Sequence, residues 1–336
     1  MRRCAAIPIA VALAGAALEA SGQTHSVLDP ASAQARELAL LSWWMFGIGA
    51  VVLIGVTALL LIAITRARAD TPAHVPTYER RRNLVIVGGV LLPLVTAGAL
   101  LVWTIVLGPQ SSAAAAPADA LDVEIVAHRW WWEIHYLNDG GQRIATVANE
   151  LHVPVGRAVR VQLKSEDVIH SFWVPNLHGK TDMIPGRTTT SWFTVEREGE
   201  FSGRCAEFCG VQHAAMGFLV VAQTPAAFTA WLERQAASAR EPGDELARRG
   251  MQVFSEHACV MCHTIRGTTA QATVAPDLTH VASRRTLAAG RLPNNGGTLA
   301  AWILDPQQIK PGALMPPTRL GTDDMNALLH YLGGLE

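Results

Sequence analysis

Two uninterrupted apolar runs dominate the first third of the chain. Leu38–Ile64 carries no charged residue, and neither does Asn83–Leu107. Each exceeds the roughly 20 residues that a helix needs to cross a bilayer core. The pattern therefore predicts membrane-spanning helices over 38–64 and 83–107, paired as a hairpin over 38–110. Trp43 and Trp44 stand near the start of the first run, where indole rings favour the membrane–water boundary. Pro93 lies inside the second and predicts a kink or local loosening, because proline removes a helical hydrogen bond. Between the runs, Arg66, Arg68, Arg80, Arg81 and Arg82 outnumber Asp70 and Glu79. An arginine excess marks the cytoplasmic side, so everything after Leu107 is expected outside the cytoplasm. At the start, Arg2 and Arg3 precede a short apolar stretch, Ile7–Leu18, and the small residues Ala20 and Gly22. That is the pattern of a secretion signal over 1–22, cut near Gln23, with an extracytoplasmic segment over 23–37.

Beyond the second run the period changes. Ser111–Asp119 is rich in Ala and Pro and reads as a linker. Over 121–223, two-residue alternation predicts strands at Leu121–Val126, Val159–Leu163, Ser191–Val195 and Phe218–Val221. Turn residues separate them at 138–141, 154–156 and Pro185-Gly186. Short strands so spaced predict a Greek-key sandwich or barrel. A helix-period pattern follows over Pro225–Arg240, with Phe228, Trp231 and Leu232 on one side, and then a small, polar linker over Ala236–Gly243. The stretch 224–242 is thus helix and linker, and 243–336 is a further domain. Within it Glu245–Glu256 reads as a helix with Gly250 and Phe254 on one face, and Asp323–Leu332 as another with Leu328 and Tyr331 on one face.

The 336 residues carry a net charge of −1, which gives no reason to expect nucleic acid as a partner. Of the five cysteines, Cys4 stands alone and the others form two tight pairs, Cys205/Cys209 and Cys259/Cys262, each inside a cofactor-type motif and not in a disulfide framework.

The first pair sits in Arg204–Phe218, which holds Cys205, Cys209, His213 and Met216 in one short loop, with His170 upstream. Thiolate, imidazole and thioether together select soft or borderline metals, copper above all. Two thiolates, two imidazoles and a thioether are ligands enough for two copper ions; a structural disulfide or buried thiol pair is the plainer alternative. The second pair sits in Cys259-Val260-Met261-Cys262-His263, the C-x-x-C-H signature of covalent haem attachment. Three consecutive tryptophans, Trp130–Trp132, must face both sides of a strand, so at least one is expected near the surface. His128, His135, His152 and His178 read as ordinary hydrogen-bonded or surface residues. Glu166 and Asp167 read as a solvated turn.

The run H-S-F-W-V-P (170–175), then K-T-D-M-I-P-G (180–186) and C-x-E-x-C-x3-H-x2-M, resembles subunit II of haem–copper cytochrome c oxidases. The resemblance implies a cupredoxin fold holding binuclear CuA. His170 and His213 would be its imidazole ligands, Cys205 and Cys209 its bridging thiolates and Met216 a weak ligand. The Glu207 carbonyl would bind copper, and its side chain a magnesium ion at the subunit I interface. Trp130 would be where electrons reach CuA. One departure is Phe201-Ser202-Gly203, where the family usually has two aromatic residues before the glycine. Residues 243–336 resemble class I cytochromes c: an all-α domain whose terminal helices cross at a small Gly, with Pro276 accepting from the haem histidine and Met315 as sixth ligand opposite His263. The fusion resembles subunit II of a caa3-type oxidase. It implies a multi-pass bacterial inner-membrane protein that takes electrons from a cytochrome c-type donor and passes them to subunit I, with subunit III in the complex. Oxygen reduction and proton pumping would lie in subunit I. The short linker suggests that the haem is a flexibly tethered donor revisiting the Trp130 surface. Three other readings stand beside this one: the CuA subunit of a nitric oxide reductase or another respiratory enzyme, a copper-delivery or thiol–disulfide protein, and a membrane cytochrome with a vestigial copper loop.

Overall fold

A computed structural model describes residues 26–67, 78–107 and 116–336. The secretion signal over 1–22, its cut near Gln23, Cys4 and the centre of the arginine-rich loop lie outside the described residues, as does the first part of the 111–119 linker.

Helix α1 spans Ala33–Ala67. Its start is fixed by Ser32, whose hydroxyl accepts from Ala35 N–H at 3.0 Å as an N-cap and donates to Leu177 O. Arg36 pairs with Glu196, so the first turn of α1 is anchored to the domain that follows. The second apolar segment runs as α2 (Tyr78–Ile86), a π-helical turn (Val87–Leu91) and α3 (Leu92–Leu107). The turn sits just before Pro93. Proline has no N–H to give the carbonyl four residues back and its ring crowds that carbonyl, so the ladder slips a register there. Two stretches, Ala33–Thr65 and Arg82–Val106, are long and apolar enough to cross a membrane, and their most apolar windows are wholly unburied. Unbroken apolar surface of this extent marks a membrane or protein interface.

Residues 121–223 fold as two packed five-stranded sheets. One has the order β3-β2-β1-β5-β8 and the other β4-β10-β9-β6-β7. The strands are β1 (Leu121–His128), β2 (Trp131–Leu137), β3 (Arg143–Ala148), β4 (Glu150–Pro154), β5 (Ala158–Ser165), β6 (His170–Trp173), β7 (Thr181–Met183), β8 (Thr189–Thr194), β9 (Gly199–Cys205) and β10 (Gly217–Gln223). β1 runs parallel to β5, and β10 parallel to β4; the other pairs are antiparallel. Alternation in β1 and β2 sends Val123, Ile125, Ala127, Trp132, Ile134 and Tyr136 into the core between the sheets. Burying side chains of this size stabilises by about 1.5–3 kcal/mol each. Helix α4 (Pro225–Ala236) closes one side: Trp231 stacks on His152 with centroids 4.0 Å apart.

The predicted helix to Arg240 stops at Ala236, and the segment after it is not free. Arg266 donates to Gln235 O and Ala236 O, the Nε2 of His280 meets Ala237 O at 3.1 Å, and Ala239 N–H donates to Arg266 O at 2.9 Å. Arg266 and His280 thus compete for carbonyls that would otherwise continue the helix. The expectation of a flexible tether is corrected accordingly.

The last domain contains α5 (Glu245–Glu256), α6 (Gly296–Leu304), α7 (Pro306–Ile309) and α8 (Thr322–Gly333). α5 crosses α8 at Gly250, where an added Cβ would stand 2.1 Å from Ala327 O and 2.6 Å from Tyr331 Cβ. The crossing buries Phe254, Leu328 and Tyr331.

Candidate metal and haem centres

Pairing of β6 with β9 places Phe172 opposite Cys205, which brings His170 beside the loop between β9 and β10. The donor atoms converge there. Cys205 Sγ lies 3.7 Å from Cys209 Sγ and 3.8 Å from His170 Nδ1. Cys209 Sγ lies 3.7 Å from His213 Nδ1 and 3.8 Å from Met216 Sδ. The Glu207 carbonyl is 3.2 Å from Cys205 Sγ. His170, Cys205 and Cys209 are buried, and both cysteines are free thiols, which excludes the disulfide alternative in this structure. Two donors on one ion at ~2.0–2.3 Å can be no more than ~4.6 Å apart; each of these separations meets that limit.

The electrostatics make the same demand. The hydrogen bond from Cys209, with further help from His170 and backbone groups, pulls the Cys205 thiol well below its usual range, while the neighbouring Cys205 and burial push Cys209 up. Two thiols this close cannot both ionise unless cations stand between them. Burial alone would depress His170, but its bonds with Asp167 and Cys205 raise it. Asp167 is not a free turn residue, contrary to the sequence expectation. Its carboxylate lies 2.8 Å from His170 Nε2 and accepts from Arg129 N–H at 2.7 Å. Despite partial burial, these partners hold it at about 2. A carboxylate on the outer nitrogen of a ligand imidazole fixes its orientation.

Of the three tryptophans, Trp132 is wholly buried, while Trp130 and Trp131 are partly exposed. Trp130 Nε1–H donates to Cys209 O at 2.9 Å. The other histidines are hydrogen-bonded, though less exposed than expected. His135 meets Thr146 at 2.9 Å, His152 meets Gln223 at 3.2 Å, and His178 donates to Gly179 O.

In the last domain, Cys259 and Cys262 begin a tight turn after α5, and His263 N–H donates to Cys259 O at 3.0 Å. His263 Nδ1 lies 2.8 Å from Pro276 O. A carbonyl only accepts, so Nδ1 carries the proton and Nε2 keeps its lone pair. Burial depresses this imidazole, which keeps it neutral. Met315 packs at the edge of the domain core, with its carbonyl 3.1 Å from Gln307 Nε2. Met325 lies in that core, as predicted.

Residues 123–223 match the family profile for the periplasmic domain of cytochrome c oxidase subunit II, and residues 247–336 match that for cytochrome c. The subunit 2 of Bacillus subtilis cytochrome c oxidase is 31% identical over 74% of this chain and 72% of its own length. The chain belongs to the cytochrome c oxidase subunit 2 family. The subunit 2 of Alkalihalophilus pseudofirmus is 40% identical over 64% of this chain, which spans 61% of that relative's length. Among solved structures, the periplasmic domain of subunit II of the Bradyrhizobium japonicum oxidase is 31% identical over 36% of this chain and 96% of its own, with a TM-score of 0.33. Membership implies a copper centre in the first cofactor domain and haem in the second. The donor set around Cys205 fits the former, and the C-x-x-C-H turn with its neutral His263 fits the latter.

Residue-by-residue reading missed Asp167, Gln212 and Lys310. Only Asp167 leaves a local signal, its three-residue spacing from His170.

Proposed function

We propose that this chain is the electron-transfer subunit of a terminal haem–copper oxidase of the caa3 type. It sits in a bacterial cytoplasmic membrane, with both cofactor domains on the extracytoplasmic side. Cys259 and Cys262 would hold haem c covalently, and His263 and Met315 would ligate its iron. His170, Cys205, the Glu207 carbonyl, Cys209, His213 and Met216 hold two copper ions. When bound, these groups would supply closed one-electron sites. With both groups bound, the chain would take electrons from an external cytochrome c-type donor at its Cys259–His263 domain and pass them from the His170–Met216 site to subunit I. Subunit III completes the complex, and the Glu207 side chain, held by Lys180 at 3.2 Å, is directed to a magnesium ion at the subunit I interface.

The chain's residues do the positioning. Asp167 orients His170, Pro276 orients His263, and burial of both thiols excludes water from the copper site. The observation that carries the reading is Trp130. Its N–H is bonded to the Cys209 carbonyl, and its six-membered ring lies against the loop ahead of Met315: an added Cβ on Gly312 would stand 3.5 Å from Trp130 Cη2. One side chain thus touches the copper-site loop at Cys209 and the haem-domain loop at Gly312, three residues before Met315.

Paramagnetic resonance tests the site. The copper-loaded chain should show one spin coupled to two similar copper nuclei. Cys205→Ser or Cys209→Ser should abolish that state, whereas Met216→Leu should keep both ions and shift the potential. A single isolated copper, or a reversible disulfide in copper-replete protein, would contradict the proposal. Copurification with a haem–copper subunit tests the partner.

A further inference from the structure

The two cofactor domains meet across a junction more elaborate than a linker requires. Lys310 lies at its centre and is 3% exposed. Its Nζ donates to Trp130 O at 2.5 Å and to Ala288 O at 3.3 Å. Ala288 and Ala289 hold φ of 52° and 59°, a left-handed conformation costly for residues other than glycine. The strained turn aims its carbonyls at the junction: Ala288 O meets Lys310, and Ala289 O accepts from Gly217 N–H at 3.1 Å, one residue after Met216. On the opposite side of the loop, Gln212 Nε2 donates to Pro311 O at 2.8 Å, and Gly312 N–H donates to Gln307 Oε1 at 2.8 Å. A buried ammonium is expensive to keep, and burial pushes Lys310 down to about 7. An apolar side chain would fill this space at lower cost. What the amine adds is direction, since its N–H groups can join carbonyls from both domains.

We propose that Lys310 is a positioning residue for transfer between the two centres: it ties the Met315 loop to the Trp130 carbonyl and so fixes the gap an electron crosses. The inference rests on the electron route given above.

The test uses the full-length chain in its assembled oxidase, as wild type, Lys310→Met and Lys310→Arg. Hydrogen exchange is read at amides that cross the junction: Gly217 N–H, bonded to Ala289 O, and the N–H groups of Arg285 and Thr286, bonded to Glu150 Oε1 at 2.7 and 3.0 Å. Loss of a buried hydrogen bond raises the open population about 2- to 10-fold. Those amides should exchange faster by that factor in Lys310→Met. Leu278 N–H, bonded to Thr264 O at 2.8 Å within the haem domain, should keep its wild-type protection, which a merely structural role would not spare. Lys310→Arg should restore most of the protection. After a flash, haem-to-copper transfer should slow in Lys310→Met, with the copper spectrum and the KM for the external donor unchanged. If Lys310→Met lowers haem incorporation, Gly312→Val, which wedges the junction beside Trp130, is measured instead and should show the same pattern. Wild-type exchange at Gly217 and Arg285 in Lys310→Met overturns the proposal. Reduction of copper by the external donor without passage through the haem overturns the route instead, and exchange still decides the role of Lys310.

Discussion

Gly203 is the position where one methyl group should do most damage. It pairs with Phe218 across β9 and β10. A Cβ there would stand 2.1 Å from Phe218 Cζ and 2.4 Å from Cε1 and Cε2. The ring has no outward escape, being 4% exposed and packed on Phe172 and Trp132 with centroids 4.8 and 4.9 Å away. Overpacking of this kind costs about 1–3 kcal/mol, against which alanine regains ~0.5–1 kcal/mol of chain entropy in a strand. A net loss of about 1 kcal/mol lowers the melting point of a domain of this size by about 5 °C. Trp132 also neighbours His170, at 6.4 Å between centroids, so displacement of Phe218 reaches the copper ligands. The assay is thermal unfolding of the full-length, copper-loaded Gly203→Ala chain, followed through the copper absorption and near-ultraviolet circular dichroism. Phe218→Leu should make room for the methyl, so the double variant should be less destabilised than the sum of the singles. An unchanged melt, or strict additivity in that cycle, would refute the reasoning.

Two further outcomes are expected. His178 is stacked between Phe172 and Phe193, and burial holds it down at about 4. Its unfolded value is near 6.5, so below that pH the unfolded chain takes up a proton the folded domain refuses. About 3 kcal/mol of stability should vanish as pH falls from ~6.5 to ~4. Urea unfolding of the wild type against His178→Phe should show this slope only in the former; equal slopes would place the loss elsewhere. Gly250→Ala should destabilise the haem domain by about 1 kcal/mol net, the clash with Ala327 O costing about 2 kcal/mol against a helix-propensity gain of ~1 kcal/mol. Haem-monitored unfolding with unchanged copper signals is the check, and wild-type haem stability would count against a close crossing of α5 and α8.

The proposed copper ligands were legible because four of them share one short loop, so spacing alone points to their chemistry. The place of His170 depends on the register of β6 against β9, which spacing does not encode. Alternation revealed β1, β5, β8 and β10. It could not reveal β4, because every residue of Glu150–Pro154 is buried and no polar face marks the period. It missed β7 because three residues are too few. Asp167 looked like a solvated turn because its partners are an imidazole and the Arg129 amide, the latter 38 residues away. Lys310 is 180 residues from Trp130, and an isolated lysine in a loop carries no local sign of burial.

The linker shows how composition can mislead about mechanism. Small, polar residues after α4 suggest a flexible tether, whose benefit would be a high effective concentration of haem near copper. In the structure Arg266 takes the last carbonyls of α4, the segment after it is held by Ala237 O on His280 and Ala239 N–H on Arg266 O, and the haem domain meets the copper domain through Gln212, Gly217, Lys310 and Glu150. A docked donor needs no search. Its transfer step should be independent of dilution, as a tether's would be, but it should also resist salt. The exposed Arg285–Glu200 pair, at 3.0 Å, is the contact that added ions screen most easily, whereas Lys310 is sealed from solvent between two carbonyls. Salt should therefore loosen the rim of the junction while its centre holds, and the centre is where Trp130 lies.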